Sequence, residues 1–204
     1  MKASVLRGVG DVVLEERPVP TAGPGEVLVR VGSVGVCGSD VHYYEHGRIG
    51  DYTVDRPMVL GHEAGGEVAA VGPGVDSLVP GQRVSIEPGV PCRSCAQCLA
   101  GRYNLCPEMR FFATPPYDGA AGPIGQVCAQ AAFAYGASEV VVTDVNPHRL
   151  QLARTPTAIA LVASGRVDLD ALVTGHFGLD QVEQALTAAR HDPLTVKVVV
   201  HPAL

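Results

Sequence analysis

Four cysteines within one short loop constrain this chain more than any other feature. Cys92, Cys95, Cys98 and Cys106 stand as C-x2-C-x2-C-x7-C. Two-residue gaps let a turn aim successive sulfurs inward, and four thiolates hold zinc well in a tetrahedron. Disulfides, buried free thiols and an iron–sulfur cluster are the other uses of such a set. Disulfides belong to oxidising compartments. The N-terminus, MKASVLRGVGDVVLEERPVP, has its apolar stretches broken by Arg, Gly and Asp, unlike a secretory leader. The expectation is a cytoplasmic chain whose cysteine loop holds a structural zinc and thereby organises a lobe with little core of its own.

Several function classes are disfavoured by composition. The net charge is −6 with no Lys/Arg stripe, so a nucleic-acid footprint is lacking. No run of 18 apolar residues exists, so no membrane span is expected. With 47% hydrophobic and 18% charged residues, the 204-residue chain is expected to be globular and to bury a core.

Residues 1 to about 90 read as all-β. Val27–Val31, Glu67–Val71 and Arg83–Ile86 are apolar or β-branched runs punctuated by Pro24-Gly25, Gly72-Pro73-Gly74 and Pro80-Gly81. Short strands with such punctuation suggest a small barrel. Past the cysteine loop the character changes. Residues 122–136 are Ala-rich and helical, Glu139–Asp144 is a short buried strand, and Asn146-Pro147 starts a helix running to Arg154: half of an α/β unit. Leu161–Ser164 looks helical. Leu179–Arg190 reads as an amphipathic helix with Leu179, Val182, Leu186 and Ala189 on one face, and Thr195–His201 as a closing strand.

A second set of metal-binding residue types lies upstream. Cys37 stands in GVCGSDVHY, and His62-Glu63 in GHEAGG. Cys, His and a carboxylate are the three zinc ligand types, and three protein ligands leave a position for water or substrate. Neighbouring ligands need an irregular backbone, because adjacent strand residues face opposite ways. The flanking glycines permit that. By residue type alone, a lone cysteine is more often core and a His-Glu pair more often a local ion pair.

The pattern Gly61-His62-Glu63-x2-Gly66-x5-Gly72-x2-Val75 resembles the zinc signature of the medium-chain alcohol dehydrogenase family. Cys37–Tyr43 (CGSDVHY) and Met109–Pro116 (MRFFATPP) resemble its sorbitol and xylitol dehydrogenase branch, and the cysteine loop falls where that family carries its structural zinc. The resemblance covers essentially the whole chain in three pieces. It implies that Cys37, His62 and Glu63 hold a catalytic zinc, while Cys92, Cys95, Cys98 and Cys106 hold a structural one. Ser39 would hydrogen-bond the substrate hydroxyl, and His42 would pass its proton to solvent by way of the cofactor ribose. Asp40 would orient the His62 ring, and Tyr43 and Phe112 would line the substrate pocket. The implied reaction is oxidation of a small-molecule polyol such as sorbitol, xylitol or iditol, with hydride passing to NAD.

For the cofactor, Gly122-Pro123-Ile124-Gly125 resembles the second and third glycines of G-x-G-x-x-G. Asp144 follows at the end of a strand, where an acid binds a ribose 2′-hydroxyl and favours NAD over NADP. Arg149 would sit near the adenosine edge. The sequence departs from the family pattern here. Ala120 occupies the first glycine position, and the preceding Phe112–Asp118, with two prolines, stands where the family has an apolar strand. Another jump follows Arg154. The expected architecture is α+β joined to α/β. It comprises a GroES-like β-barrel catalytic domain over 1–118, a truncated Rossmann dinucleotide-binding portion over 119–155, and a C-terminal segment over 156–204 returning to the barrel. The family's homo-oligomers join through the Rossmann sheet edge, much of which this sequence lacks. The alternative expectation is a non-catalytic, internally deleted zinc-binding remnant.

Overall fold

The computed structural model describes residues 1–119 and 170–202. The chain opens with a hairpin, β1 (Lys2–Gly8) and β2 (Asp11–Glu16), whose turn is closed by Gly10 at φ 69°. Val5 and Leu6 of β1 are fully buried, and β6 (Met58–Val59) pairs along their other edge. The main sheet has the order β11-β12-β3-β7-β8. Its strands are β3 (Val27–Gly35), β7 (Ala64–Val71), β8 (Arg83–Ser85), β11 (Val173–Gly178) and β12 (Lys197–His201). Two small hairpins complete the strands: β4 (Arg48–Ile49) with β5 (Tyr52–Thr53), and β9 (Gly89–Val90) with β10 (Arg110–Phe111).

The reading of residues 1–90 as all-β is corrected by one helix, α1 (Gly38–His46). Its ends explain it better than its composition does. Asp40, three residues into the helix, accepts the Cys37 backbone N–H at 2.8 Å, satisfying a donor that a helix start leaves orphaned. Gly47, at φ 68°, adopts the left-handed turn that ends the helix and donates to the Tyr43 carbonyl.

The C-terminal piece closes on the N-terminal one. β11 runs parallel to β12, and the two are joined through α3 (Val182–His191), while β12 is antiparallel to β3 through Val199↔Gly35 and Val200↔Val34. Val198 and Val200 pack with Ala185 and Leu186 of α3 and with Val36 and Val41 in one core cluster. Full burial of each large aliphatic side chain is worth about 1.5–3 kcal/mol, so this cluster is what seats α3 on the sheet. The expected helix over Leu179–Arg190 is present as a 3-10 turn at Leu179–Gln181 leading into α3. Among the described residues no helix is long and apolar enough to cross a membrane.

One signature glycine has a steric reason in this sheet. A Cβ on Gly66 would stand 2.2 Å from the Arg30 carbonyl oxygen, on the backbone of the paired strand β3. Gly66→Ala is therefore expected to cost about 3 kcal/mol of stability, since backbone cannot yield as a side chain can. A thermal melt unchanged within a degree would contradict this.

Candidate metal and catalytic site

Asp40 fixes the geometry of the upstream donor set. One of its carboxylate oxygens accepts the Cys37 amide at 2.8 Å, and the other accepts the Gly61 amide at 3.0 Å. A single buried side chain thus ties the start of α1 to the turn before His62. Gly61 has φ 106°, which only glycine adopts readily, and this irregular step lets the adjacent His62 and Glu63 serve one centre. Asp40 therefore does not orient the His62 ring by a hydrogen bond, as expected from sequence. It orients two backbone segments and reaches the ring through charge alone.

The Cys37 sulfur, a His62 ring nitrogen and a Glu63 carboxylate oxygen lie within 4.8 Å of one another. Zinc bonds of about 2.0–2.3 Å in a tetrahedron bring donors to that order of separation. His62 Nδ1, Glu63 Oε1 and the Ser39 hydroxyl are buried without a hydrogen-bond partner. Buried polar atoms are nearly always partnered, so three orphans around one convergent donor set fit a metal and its exchangeable ligand. Electrostatics agree. Burial raises the Cys37 thiol, but His62 and Ser39, near enough to favour the thiolate, outweigh it and lower the pKa. Burial alone would lower the His62 pKa, while Cys37 and the charges of Asp40 and Glu63 raise it overall. Burial raises Glu63, partly offset by the positive charges of Lys197 and His62.

Ser39 sits in the first turn of α1 with its hydroxyl buried, and His42, one turn on, is exposed to solvent. His42 stands edge-on to His46 at 5.2 Å between ring centroids. α1 is held in turn by α3, for the Tyr44 hydroxyl donates to Glu183 at 2.5 Å. That acceptor, aided by burial and by the negative charges of Glu183 and Glu45, pushes the Tyr44 phenol up to about 12. A raised folded pKa means the bond's stabilisation is whole below the ~10 of a free tyrosine and lost as pH rises through about 12. Tyr44→Phe is expected to cost about 1 kcal/mol at neutral pH and to abolish this high-pH tyrosine titration in ultraviolet absorbance.

The two expected pocket residues lie in different surroundings. Tyr43 is 2% exposed and packs with Leu6, Met58 and Ala113 in a core cluster. Phe112 lines a separate hollow with Pro20, Leu28 and Tyr117. Its neighbour Phe111 is the aromatic at the site, 5.4 Å from the His62 ring between centroids. Lys197 went unread in the sequence. It is the one buried lysine or arginine among the described residues, and its ammonium acts on Glu63, Cys37 and Asp40. The available signal was a lone cation in the apolar run VKVVV. The cofactor residues Gly122, Ile124, Gly125, Asp144 and Arg149 lie outside the described residues.

In the cysteine loop all four sulfurs lie within 4.8 Å of one another. Cys92 and Cys98 sulfurs are 3.9 Å apart, far beyond a disulfide bond of ~2.05 Å, and all four cysteines are free thiols. Backbone amides point at sulfur, Cys95 to Cys92 at 3.3 Å and Cys92 to Cys106 at 3.4 Å. With the amide and hydroxyl of Ser94, the Cys95 amide lowers Cys92 to about 6, while burial and neighbouring thiols push Cys98 up to about 12. The short helix here, α2 (Ala96–Leu99), buries no residue. A lobe without core and with four convergent thiolates suits a structural metal.

A family profile described as "Alcohol dehydrogenase GroES-like domain" matches residues 23–146. Sorbitol dehydrogenase of Bacillus subtilis is 38% identical over 214 residues, covering 79% of this chain and 61% of that protein. The chain belongs to the zinc-dependent medium-chain alcohol dehydrogenase family, on its polyol dehydrogenase branch. Sorbitol dehydrogenase of Gallus gallus is 43% identical, over 74% of this chain and 58% of that protein. A probable D-xylulose reductase A of Aspergillus clavatus is 39% identical, over 80% of this chain and 60% of that protein. Among solved structures, L-idonate 5-dehydrogenase from Escherichia coli superposes with a TM-score of 0.81 at 20% identity, over 98% of this chain and 97% of that one. That likeness bears on the fold alone. It agrees with a GroES-like domain joined to a Rossmann-type one, in truncated form. The chain spans about 60% of the length of these curated relatives. The B. subtilis match extends over 214 residues while using only 79% of a 204-residue chain. That relative therefore carries residues inside the matched span that have no counterpart here.

Proposed function

We propose that the chain carries the site for zinc- and NAD-dependent oxidation of a polyol to a ketose, with Cys37, His62 and Glu63 holding the catalytic zinc. The observation carrying this reading is the convergence of those three donors beside the orphaned Ser39 hydroxyl. Cys92, Cys95, Cys98 and Cys106 would hold a second, structural zinc, making two per chain. When bound, zinc supplies a Lewis acid at the alcohol oxygen and NAD accepts the hydride. This chain's residues do the rest. The Ser39 hydroxyl would accept a hydrogen bond from the substrate hydroxyl and, as it takes that proton, give up its own to a relay that ends at the exposed His42 imidazole, which would hand a proton to solvent. Phe111, against His62, keeps water from the metal ligands. NAD would be held by Gly122, Ile124, Gly125, Asp144 and Arg149. A polyol, carrying no charge, needs only such hydrogen-bonding groups to be recognised.

The test is NADH formation, followed by absorbance, with sorbitol, xylitol and iditol. Ser39→Ala is expected to slow turnover about 10²-fold, the lower range for losing a positioned proton acceptor, with metal content unchanged. A second reading, a zinc-binding remnant without catalysis, is favoured by the internal residues that the B. subtilis relative has and this chain lacks. It predicts no NADH from any polyol.

A further inference from the structure

The last turn of α1 carries side chains that the proposed reaction uses only in part. His42 and His46 stand four residues apart, on one face of the helix. Histidines at that helical spacing are a recurrent zinc-binding arrangement. Their ring centroids are 5.2 Å apart, with the ring planes at 67°. Two imidazoles on one tetrahedral zinc, at Zn–N of about 2.0–2.1 Å, hold their centroids roughly 5 Å apart. Both residues are exposed, so an ion can reach them from solvent.

The surroundings favour a cation. The Glu45 carboxylate lies 3.9 Å from His46 Nε2 and 3.7 Å from Nε2 of His191, the last residue of α3. The C-terminal turns of α1 and α3 thus meet at Glu45, and a helix end of that kind carries a partial negative charge. Arg190 is the cation already there, its Nε 3.3 Å from the Glu45 carboxylate. An incoming dication shares Glu45 with it and meets it as a like charge. The arrangement therefore suits a weakly held, exchangeable ion, unlike the convergent three-donor set of Cys37, His62 and Glu63.

We propose that His42 and His46 form a third, solvent-facing site for a divalent transition-metal ion such as zinc, with Glu45 supplying negative charge, and that an ion bound there slows turnover by occupying the His42 imidazole. The binding part stands on the geometry of α1 and α3 alone. The inhibitory part rests on the reading of His42 as the proton exit. A ring nitrogen whose lone pair is bonded to a metal cannot take up a proton, so the relay stops at that ring.

The experiment titrates Zn2+ into the full, zinc-loaded chain by calorimetry at neutral pH, and follows NADH formation from sorbitol at the same zinc levels. The natural chain is expected to take up one further ion. His46→Gln is expected to weaken that uptake about tenfold or more, since losing even an outer partner of a metal ligand costs about 10–100-fold. Arg190→Gln, which removes the competing charge, should bind the ion more tightly than the natural chain. Added zinc should slow NADH formation, and His46→Gln should need about tenfold more zinc for the same loss. His176→Gln is the control, because His176 and His201 form the other close histidine pair among the described residues, Nδ1 to Nε2 at 2.9 Å. No uptake beyond the zinc-loaded state, or uptake that His46→Gln leaves unchanged, would overturn the site, and so would uptake lost in His176→Gln instead. Uptake lost in His46→Gln with no slowing of NADH formation would keep the site and overturn its inhibitory role. If no NADH forms before zinc is added, the proposed function fails and takes the inhibitory role with it, while the titration still decides the site.

Discussion

Cys37→Ala is expected to lose one metal ion per chain and to lower kcat/KM for polyol oxidation about 10³-fold or more. With the sulfur gone, only His62 and Glu63 remain of the convergent set. The Lewis acid at the alcohol oxygen contributes several kcal/mol to the barrier, and each ~1.4 kcal/mol is a factor of ten in rate. The fold should survive. The bond that starts α1 runs from the Cys37 backbone amide to Asp40, and alanine keeps that amide. Stability is expected to stay within about 1 kcal/mol. Metal analysis beside a steady-state assay separates the cases. Loss of both metal and activity in a folded chain is the expected result, and retention of both would exclude Cys37 as a ligand.

The largest expected effect on folding comes from the four-cysteine loop. Cys106 is the buried member of its set and lies next to the Cys92 amide. Cys106→Ala is expected to leave three thiolates in a lobe whose helix buries nothing. Structural zinc contributes apparent binding energies of about 10–16 kcal/mol in small metal-folded domains. Even a fraction of that exceeds what the lobe can recover from packing. Limited proteolysis should therefore cut the variant rapidly within residues 92–106, as it should the natural chain after chelation. The damage should also reach the first site. β10 follows the loop directly and ends at Phe111, which packs on His62, so activity should fall with the lobe. A variant as protease-resistant as the natural chain would show that the cysteines are ordinary buried thiols.

The two convergent donor clusters were legible in sequence because they depend on residue types at short spacings. Four thiols two and seven residues apart, or a Cys upstream of His-Glu between glycines, are visible without a structure. The supports of that chemistry were harder to see, for separate reasons. Helix α1 is spelled GSDVHYYEH, poor in strong helix formers, and is decided by its ends at Asp40 and Gly47. Asp40 bonds the Cys37 amide and also the Gly61 amide 21 residues further on, so its role emerges only once the turn before β7 folds back beside α1. Lys197 meets Val36 across 161 residues of chain, and only the pairing of β12 with β3 brings them together. Phe111 went unread beside Phe112, because neighbours in an extended segment face opposite ways and the residue types alone do not say which of the two faces His62. Tyr43 is buried with Leu6 and Met58, from elements distant in sequence, which no local pattern around Tyr43 shows.

Metal content and NAD binding, measured on the same purified 204-residue chain, test the central claim most directly. Metal analysis counts zinc per chain, and a calorimetric titration reads NAD. The account predicts two zinc ions, one of them lost in Cys37→Ala, and saturable NAD binding. One zinc ion that persists in Cys37→Ala, with no heat from NAD, would contradict it and leave a structural remnant of a polyol dehydrogenase.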